Sequence, residues 1–231
     1  MKKNILLLSS ALLFGATVFL IGCKKDDTTA PVVTLNGDAA STISLQGTYT
    51  ELGATANDDE DGSITVVTTG SVDKNKTGDY VITYSATDAA GNEGTATRTV
   101  TVKNDADYLS GTYTTTEGNP VTSTWDQTVT ASSTVNNRLE FSRFANYSNN
   151  TTIRANLIGN EVSMISTVAT GIGASGCTHS FISVVGGNPV IKNTTTGKYS
   201  FSIRFTDEQQ AGGTGCTATS AQLYEDNFTQ N

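Results

Sequence analysis

Tyr80-Val81-Ile82-Thr83-Tyr84-Ser85-Ala86-Thr87-Asp88-Ala89-Ala90-Gly91-Asn92, followed after a short gap by Ala96-Thr97-Arg98-Thr99-Val100-Thr101-Val102, decides the fold. Tyr80, Ile82, Tyr84 and Ala86 alternate with Val81, Thr83 and Ser85; Ala96, Val100 and Val102 alternate with Thr95, Thr97, Thr99 and Thr101. A period of two sends successive side chains to opposite faces, so each run reads as a strand with one face turned to a core. Ala89-Ala90-Gly91-Asn92 carries turn residues between them.

Working outward, further strand patterns lie at 32–35, around Ile43 and Leu45, at 49–56 and at 63–68, with turns at Asn36-Gly37-Asp38 and Thr77-Gly78-Asp79. About seven short strands between Gly, Asn and Asp turns predict a β-sandwich over residues 30–104. The opening stretch, together with the acidic turn Asp58-Asp59-Glu60-Asp61-Gly62-Ser63-Ile64, resembles the bacterial surface Ig-like domain, of the kind found in pesticidal crystal toxins and many surface proteins. The resemblance covers about residues 30–103 and implies a spacer or adhesion context and no enzyme. An Ig-like domain starts at one pole and ends at the other, so a last strand over 94–102 would hold the following chain about 30 Å away at ~3.3 Å per residue.

The acidic turn invites a metal. Asn57-x-Asp59-x-Asp61-Gly62-x-Ile64 has the spacing of the first half of a calcium loop, with oxygen ligands at alternate positions and then a glycine. Its twelfth position is Thr68, so the bidentate glutamate is missing, and strands flank it. The Ig-like topology places the turn between the last two strands at the same pole, which adds Asp88 and Asn92. The expected Ca2+ ligands are Asn57, Asp59, Asp61, Asp88 and Asn92; the alternative is a solvated turn whose Asp side chains cap backbone N–H groups.

After the polar joint Asn104-Asp105-Ala106-Asp107, strand patterns recur at 112–117, 125–131, 138–144, 151–157, 161–168, 179–185, 198–206 and 217–224. They predict a second antiparallel β domain, about eight strands in a barrel or sandwich, over 105–231. Trp125 beside Asp126 and Gln127 offers a ring to stack on a sugar and neighbours to bond hydroxyls; the plainer reading is a core tryptophan. His179 reads as a packing or hydrogen-bonding residue, since no second histidine exists. Carboxylates are scattered, and no motif nominates a catalytic set.

The first residues set the compartment. Lys2-Lys3 precede an apolar stretch from Ile5 to Ile21, the layout of an export signal. Leu20-Ile21-Gly22-Cys23 resembles the bacterial lipobox, which implies cleavage after residue 22, palmitate-type acylation of Cys23 and a membrane anchor. Lys24-Lys25-Asp26-Asp27, within a leader over 23–29, resembles the charged signal that sends lipoproteins of Bacteroidetes-type bacteria to the outer face of the outer membrane. Cys177 and Cys216 are then the two remaining cysteines of an exported chain and are expected to form a disulfide. The loop they close, about 40 residues, corresponds to about 4 kcal/mol in the chain-entropy model.

The formal charge of −8 becomes −10 once Lys2 and Lys3 are lost, and no basic run exists. That argues against nucleic acid as a partner. The expected function is a surface binding or adhesion module for a glycan or protein, with the Ig-like domain as spacer; an accessory subunit of an outer-membrane nutrient-uptake complex is the alternative.

Overall fold

The computed structural model describes residues 26–118, 122–143, 153–172, 177–184, 189–210 and 220–231. They are all-β, with a single 3-10 turn at Asp107–Leu109. The first domain holds β1 (Val32–Leu35), β2 (Ala40–Ser44), β3 (Ala54–Asp58), β4 (Gly62–Ile64), β5 (Val67–Thr69), β6 (Gly78–Thr87) and β7 (Glu93–Lys103). Two sheets form, β1-β3-β4 and β2-β7-β6-β5. β2 runs parallel to β7 and every other pairing is antiparallel.

The alternation at 80–102 does what the pattern requires. Ile82, Tyr84 and Val100 are buried and pack with Val33, Leu35, Ile43 and Tyr49 between the sheets. The strand expected at 49–56 is shorter, because Gly53 stands at φ 73° and interrupts extension before β3. The strand expected at 63–68 splits: β4 belongs to one sheet and β5 to the other, so the chain changes sheets at Thr65-Val66. One core position departs from hydrophobic patterning. Arg98 is buried beside Tyr84, bonds Glu51, and donates to the carbonyls of Asp38 at 3.0 Å and Asn36 at 2.6 Å.

The second domain is one ten-stranded sheet in a nearly closed barrel. Its strands are β8 (Gly111–Glu117), β9 (Ser123–Ala131), β10 (Arg138–Phe141), β11 (Ile153–Ile158), β12 (Glu161–Met164), β13 (Thr167–Ile172), β14 (Cys177–Val184), β15 (Ile191–Lys192), β16 (Tyr199–Gln209) and β17 (Gln222–Gln230). The count exceeds the eight expected for two reasons. The single strand read at 161–168 breaks at Ile165-Ser166: β12 pairs with β11, whereas β13 pairs with β14 at the opposite end of the sheet. That stretch belongs to both edges and so draws the sheet towards closure. The other addition, β15, meets β16 at Ile191↔Ser200 and continues the line of β14, whose last pair is Val184↔Arg204. The final strand lies later than expected, at 222–230.

All described pairings in the barrel are antiparallel. The end facing the sandwich holds the joint and the turn at 132–137, where the buried Asn104 bonds the carbonyls of Ser132 and Val135. Its interior is apolar, with Phe201 and Phe228 stacked at 4.7 Å and Tyr113 edge-on to Phe201 at 5.4 Å. Each such aromatic pair contributes about 0.5–1.5 kcal/mol beyond its burial.

Candidate functional site

Towards its distal end the barrel interior mixes polar side chains with the buried Phe181 and Phe205. Inward positions on β8 and β9 place Thr115 and Glu117 beside Trp125 and Gln127, with Thr115 directly opposite Trp125. β16 and β17 add Asp207, Tyr224 and Asp226, and Asp226 lies opposite Glu117. β14 adds His179. Period two turns each of these side chains inward on its strand, and the register sets Gln127 opposite Tyr113 and Thr115 opposite Phe228, so the polar residues run along the barrel wall from that aromatic group outward.

Specific contacts order the group. His179 Nδ1 lies 2.9 Å and 3.1 Å from the two oxygens of Asp207, and its ring stacks over Phe181. Gln127 Nε2 donates to Thr115 Oγ1 at 2.7 Å. Burial, then the charge of Asp207, pushes the Glu117 carboxyl above the usual range. Burial also raises Tyr224, with further contributions from Asp207 and Glu117. These mutual effects place Glu117, Asp207 and Tyr224 within electrostatic reach of one another. Trp125 Nε1 and Gln127 Oε1 are buried with no hydrogen-bond partner among the described residues. Buried polar atoms are nearly always satisfied, so a free donor and a free acceptor two positions apart on one strand face are notable. An interior rich in carboxylates and neutral polar groups suits a ligand bearing several hydroxyls and repels an anion.

The three residues singled out on this strand part company. Trp125 and Gln127 face inward and are buried, while Asp126 is exposed on the outer face and accepts from Thr114 Oγ1 at 2.8 Å. An outer-surface stacking patch from all three is thereby excluded by strand alternation. The pairing of His179 with Asp207 and the inward place of Glu117 went unread, because each depends on register between distant strands.

At the far pole of the sandwich the acidic turn does meet the turn after β6: the Ala89 N–H donates to Asp61 Oδ2 at 2.7 Å. Of the calcium candidates, Asp88 is buried and binds the Asn92 amide, whereas Asn57 and Asp59 are exposed. The buried carboxylate of the turn is Asp58, and its parity with Ala54 and Ala56 along β3 was the available signal. Asp27 joins Asp58 and Asp88 in a cluster of three carboxylates.

Cys177 is buried and disulfide-bonded. Cys216, its expected partner, and Cys23 lie outside the described residues. Cys177 begins β14 beside the end of β16, where Gln210 N–H donates to Thr178 O at 2.8 Å. Among the described residues no helix is long and apolar enough to cross a membrane.

Residues 33–102 match the family model described as bacterial surface protein, Ig-like domain. Among solved structures, the chain is similar to a lipoprotein from Bacteroides thetaiotaomicron at 19% identity and TM-score 0.33, covering 87% of this chain and 100% of that chain. A structure of CBM51-2 in complex with GlcNAc and INT domains from Clostridium perfringens ZmpB is similar at 17% identity and TM-score 0.27; 87% of this chain spans 44% of that one. A multidomain protein including DUF1735 from Bacteroides ovatus is similar at 15% identity and TM-score 0.22, covering 64% of this chain and 56% of that chain. No curated protein matches.

Proposed function

We propose that the chain is a lipoprotein anchored through Cys23 in the outer membrane and displayed on the cell surface. In this reading its Ig-like domain, akin to those of pesticidal crystal toxins, is a spacer, and its barrel binds a neutral glycan at the distal end. The observation that carries the binding role is the pair of unpartnered buried atoms, Trp125 Nε1 and Gln127 Oε1, on one inward face beside Glu117. A hydroxyl can accept from the first and donate to the second, and carboxylates nearby accept further hydroxyl protons. The lipobox-like Leu20–Cys23 and the charged residues after it support the anchor and the display. The role is recognition without turnover.

The full chain in detergent, applied to an array of neutral and anionic glycans, tests this. Retention of neutral glycans, lost in a folded Gln127→Leu variant, is the expected result. Failure to retain any neutral glycan would overturn it. A second reading, an accessory subunit of a nutrient-uptake complex, draws on Ile182 and Leu223, exposed on the outer face on either side of Thr206. Co-purification of a membrane protein that Ile182→Ser and Leu223→Ser release would favour it.

A further inference from the structure

Asp27, Asp58 and Asp88 come from three separate segments: the leader, the end of β3 and the turn after β6. Each offers a carboxylate oxygen, and these oxygens all lie within 4.8 Å of one another. Asp58 and Asp88 are only 3% and 7% exposed. No lysine or arginine among the described residues forms an ion pair with any of the three. Carboxylates this close, two of them buried and Asp27 half-buried, repel one another unless a cation joins them.

The hydrogen bonds show how the cluster is held open. Asp58 Oδ1 accepts from the N–H groups of Glu60 and Asp61 at 2.9 Å and 3.0 Å. The other oxygen, Oδ2, is fully buried and has no partner. Asp88 is oriented by the backbone and side-chain amides of Asn92 at 2.7 Å and 2.8 Å. Asp27 accepts from Thr29 N–H at 2.9 Å, and its carbonyl lies 3.2 Å from Asn92 Nδ2. The Asp58 oxygen is thus a buried acceptor without a donor, inside a set of hard oxygen ligands.

We propose that Asp27, Asp58 and Asp88 bind one Ca2+ ion, and that the ion fastens the leader to the Ig-like domain. Calcium bonds oxygen at about 2.3–2.6 Å, so any two ligands of one ion stand no more than about 5 Å apart, a bound the three oxygens satisfy. Magnesium demands a tighter octahedron, and zinc or copper would look for nitrogen or sulfur, which the cluster lacks. The leader is held a second time just downstream. A Cβ on Gly94 would stand 1.8 Å from the Pro31 carbonyl, so the start of β7 accepts the incoming chain only because residue 94 is glycine.

The ion would shorten the tether. Asp27 follows Cys23 by four residues, an extended reach of about 14 Å, against about 28 Å if the first fixed point were Pro31. Bound calcium therefore holds the sandwich close to the anchored end. The site stands independently of glycan binding in the barrel, which calcium would leave unchanged.

Thermal melting of the full chain in detergent tests the site, with chelator, 5 mM calcium or 5 mM magnesium present, the concentrations being about those that fill millimolar sites. Calcium is expected to raise the melting transition by about 4 °C or more, and magnesium by clearly less. Asp27→Asn and Asp58→Asn abolish the rise, while Asp59→Asn retains it. Asp27 precedes the first strand, so its variant folds and decides the matter if Asp58→Asn does not. An unchanged wild-type melt, an Asp27→Asn variant that responds fully, or an equal response to magnesium would overturn the proposal.

Discussion

Asn104 Nδ2 donates to the Ser132 carbonyl at 2.8 Å across the joint between sandwich and barrel. The same side chain donates to Val135 O at 3.0 Å and accepts from the N–H groups of Ala106 and Asn137 at 3.0 Å and 2.9 Å. One buried amide thus satisfies two carbonyls and two N–H groups of the joint and the barrel turn at 132–137. Asp105 and Asn136 reinforce it, and Thr77 N–H donates to Ser133 O at 2.9 Å. Replacing Asn104 with Ala leaves four backbone groups, two buried and two part-buried, without that partner. The expected cost is about 2–3 kcal/mol, with calorimetry resolving separate sandwich and barrel transitions. A single unshifted transition would show the joint to be incidental.

Arg98 predicts a second outcome. It stacks 5.6 Å from the Tyr84 ring centroid and bonds Glu51, which also accepts from Tyr49 and Tyr84. Arg98→Met removes the cation from a buried group, and a loss of about 3 kcal/mol in denaturant unfolding is expected. Burial, then the bond to Glu51, raises the Tyr84 hydroxyl to about 12. The folded sandwich favours neutral Tyr84, so this contribution is complete below about pH 10 and declines as pH rises towards about 12. Melting temperatures across that window should fall more steeply in the wild type than in Tyr84→Phe.

Gly94→Ala is expected to displace the segment at Pro31, since the new methyl meets a backbone oxygen at a distance that no contact tolerates. About 1–3 kcal/mol of stability should be lost. The calcium response should weaken with it, because Asp27 lies just upstream. Chelator and calcium melts of the variant check both effects.

Cys177 should appear joined to Cys216 in a non-reducing peptide map of the full chain. Cys177→Ser is expected to lower barrel stability by about 2–4 kcal/mol, read by urea unfolding.

Local pattern made the sandwich legible. Period two at 80–86 and 96–102 placed Ile82, Tyr84 and Val100 inward, and their neighbours followed. Arg98 shares that inward parity, yet a cation reads as surface until Glu51 is brought beside it by folding. Loop spacing points to Asn57, Asp59 and Asp61 for a metal. Strand parity continuing through Ala54 and Ala56 sends Asp58 inward instead. In the barrel, Ile165-Ser166 carries no glycine, proline, asparagine or aspartate, and a lone serine between apolar residues is too weak a signal to show that one stretch serves both edges. His179 and Asp207 are 28 residues apart and meet only through the register of β14 on β16.

The central claim is that the distal barrel interior receives a glycan, and Trp125, the chain's only tryptophan, stands at that place. Its fluorescence, titrated with a neutral glycan retained on the array, reports the site directly. The account predicts a saturable change in intensity or emission maximum, absent for anionic glycans and abolished by Gln127→Leu. Binding without any change at Trp125, or with an unchanged response in Gln127→Leu, would contradict it.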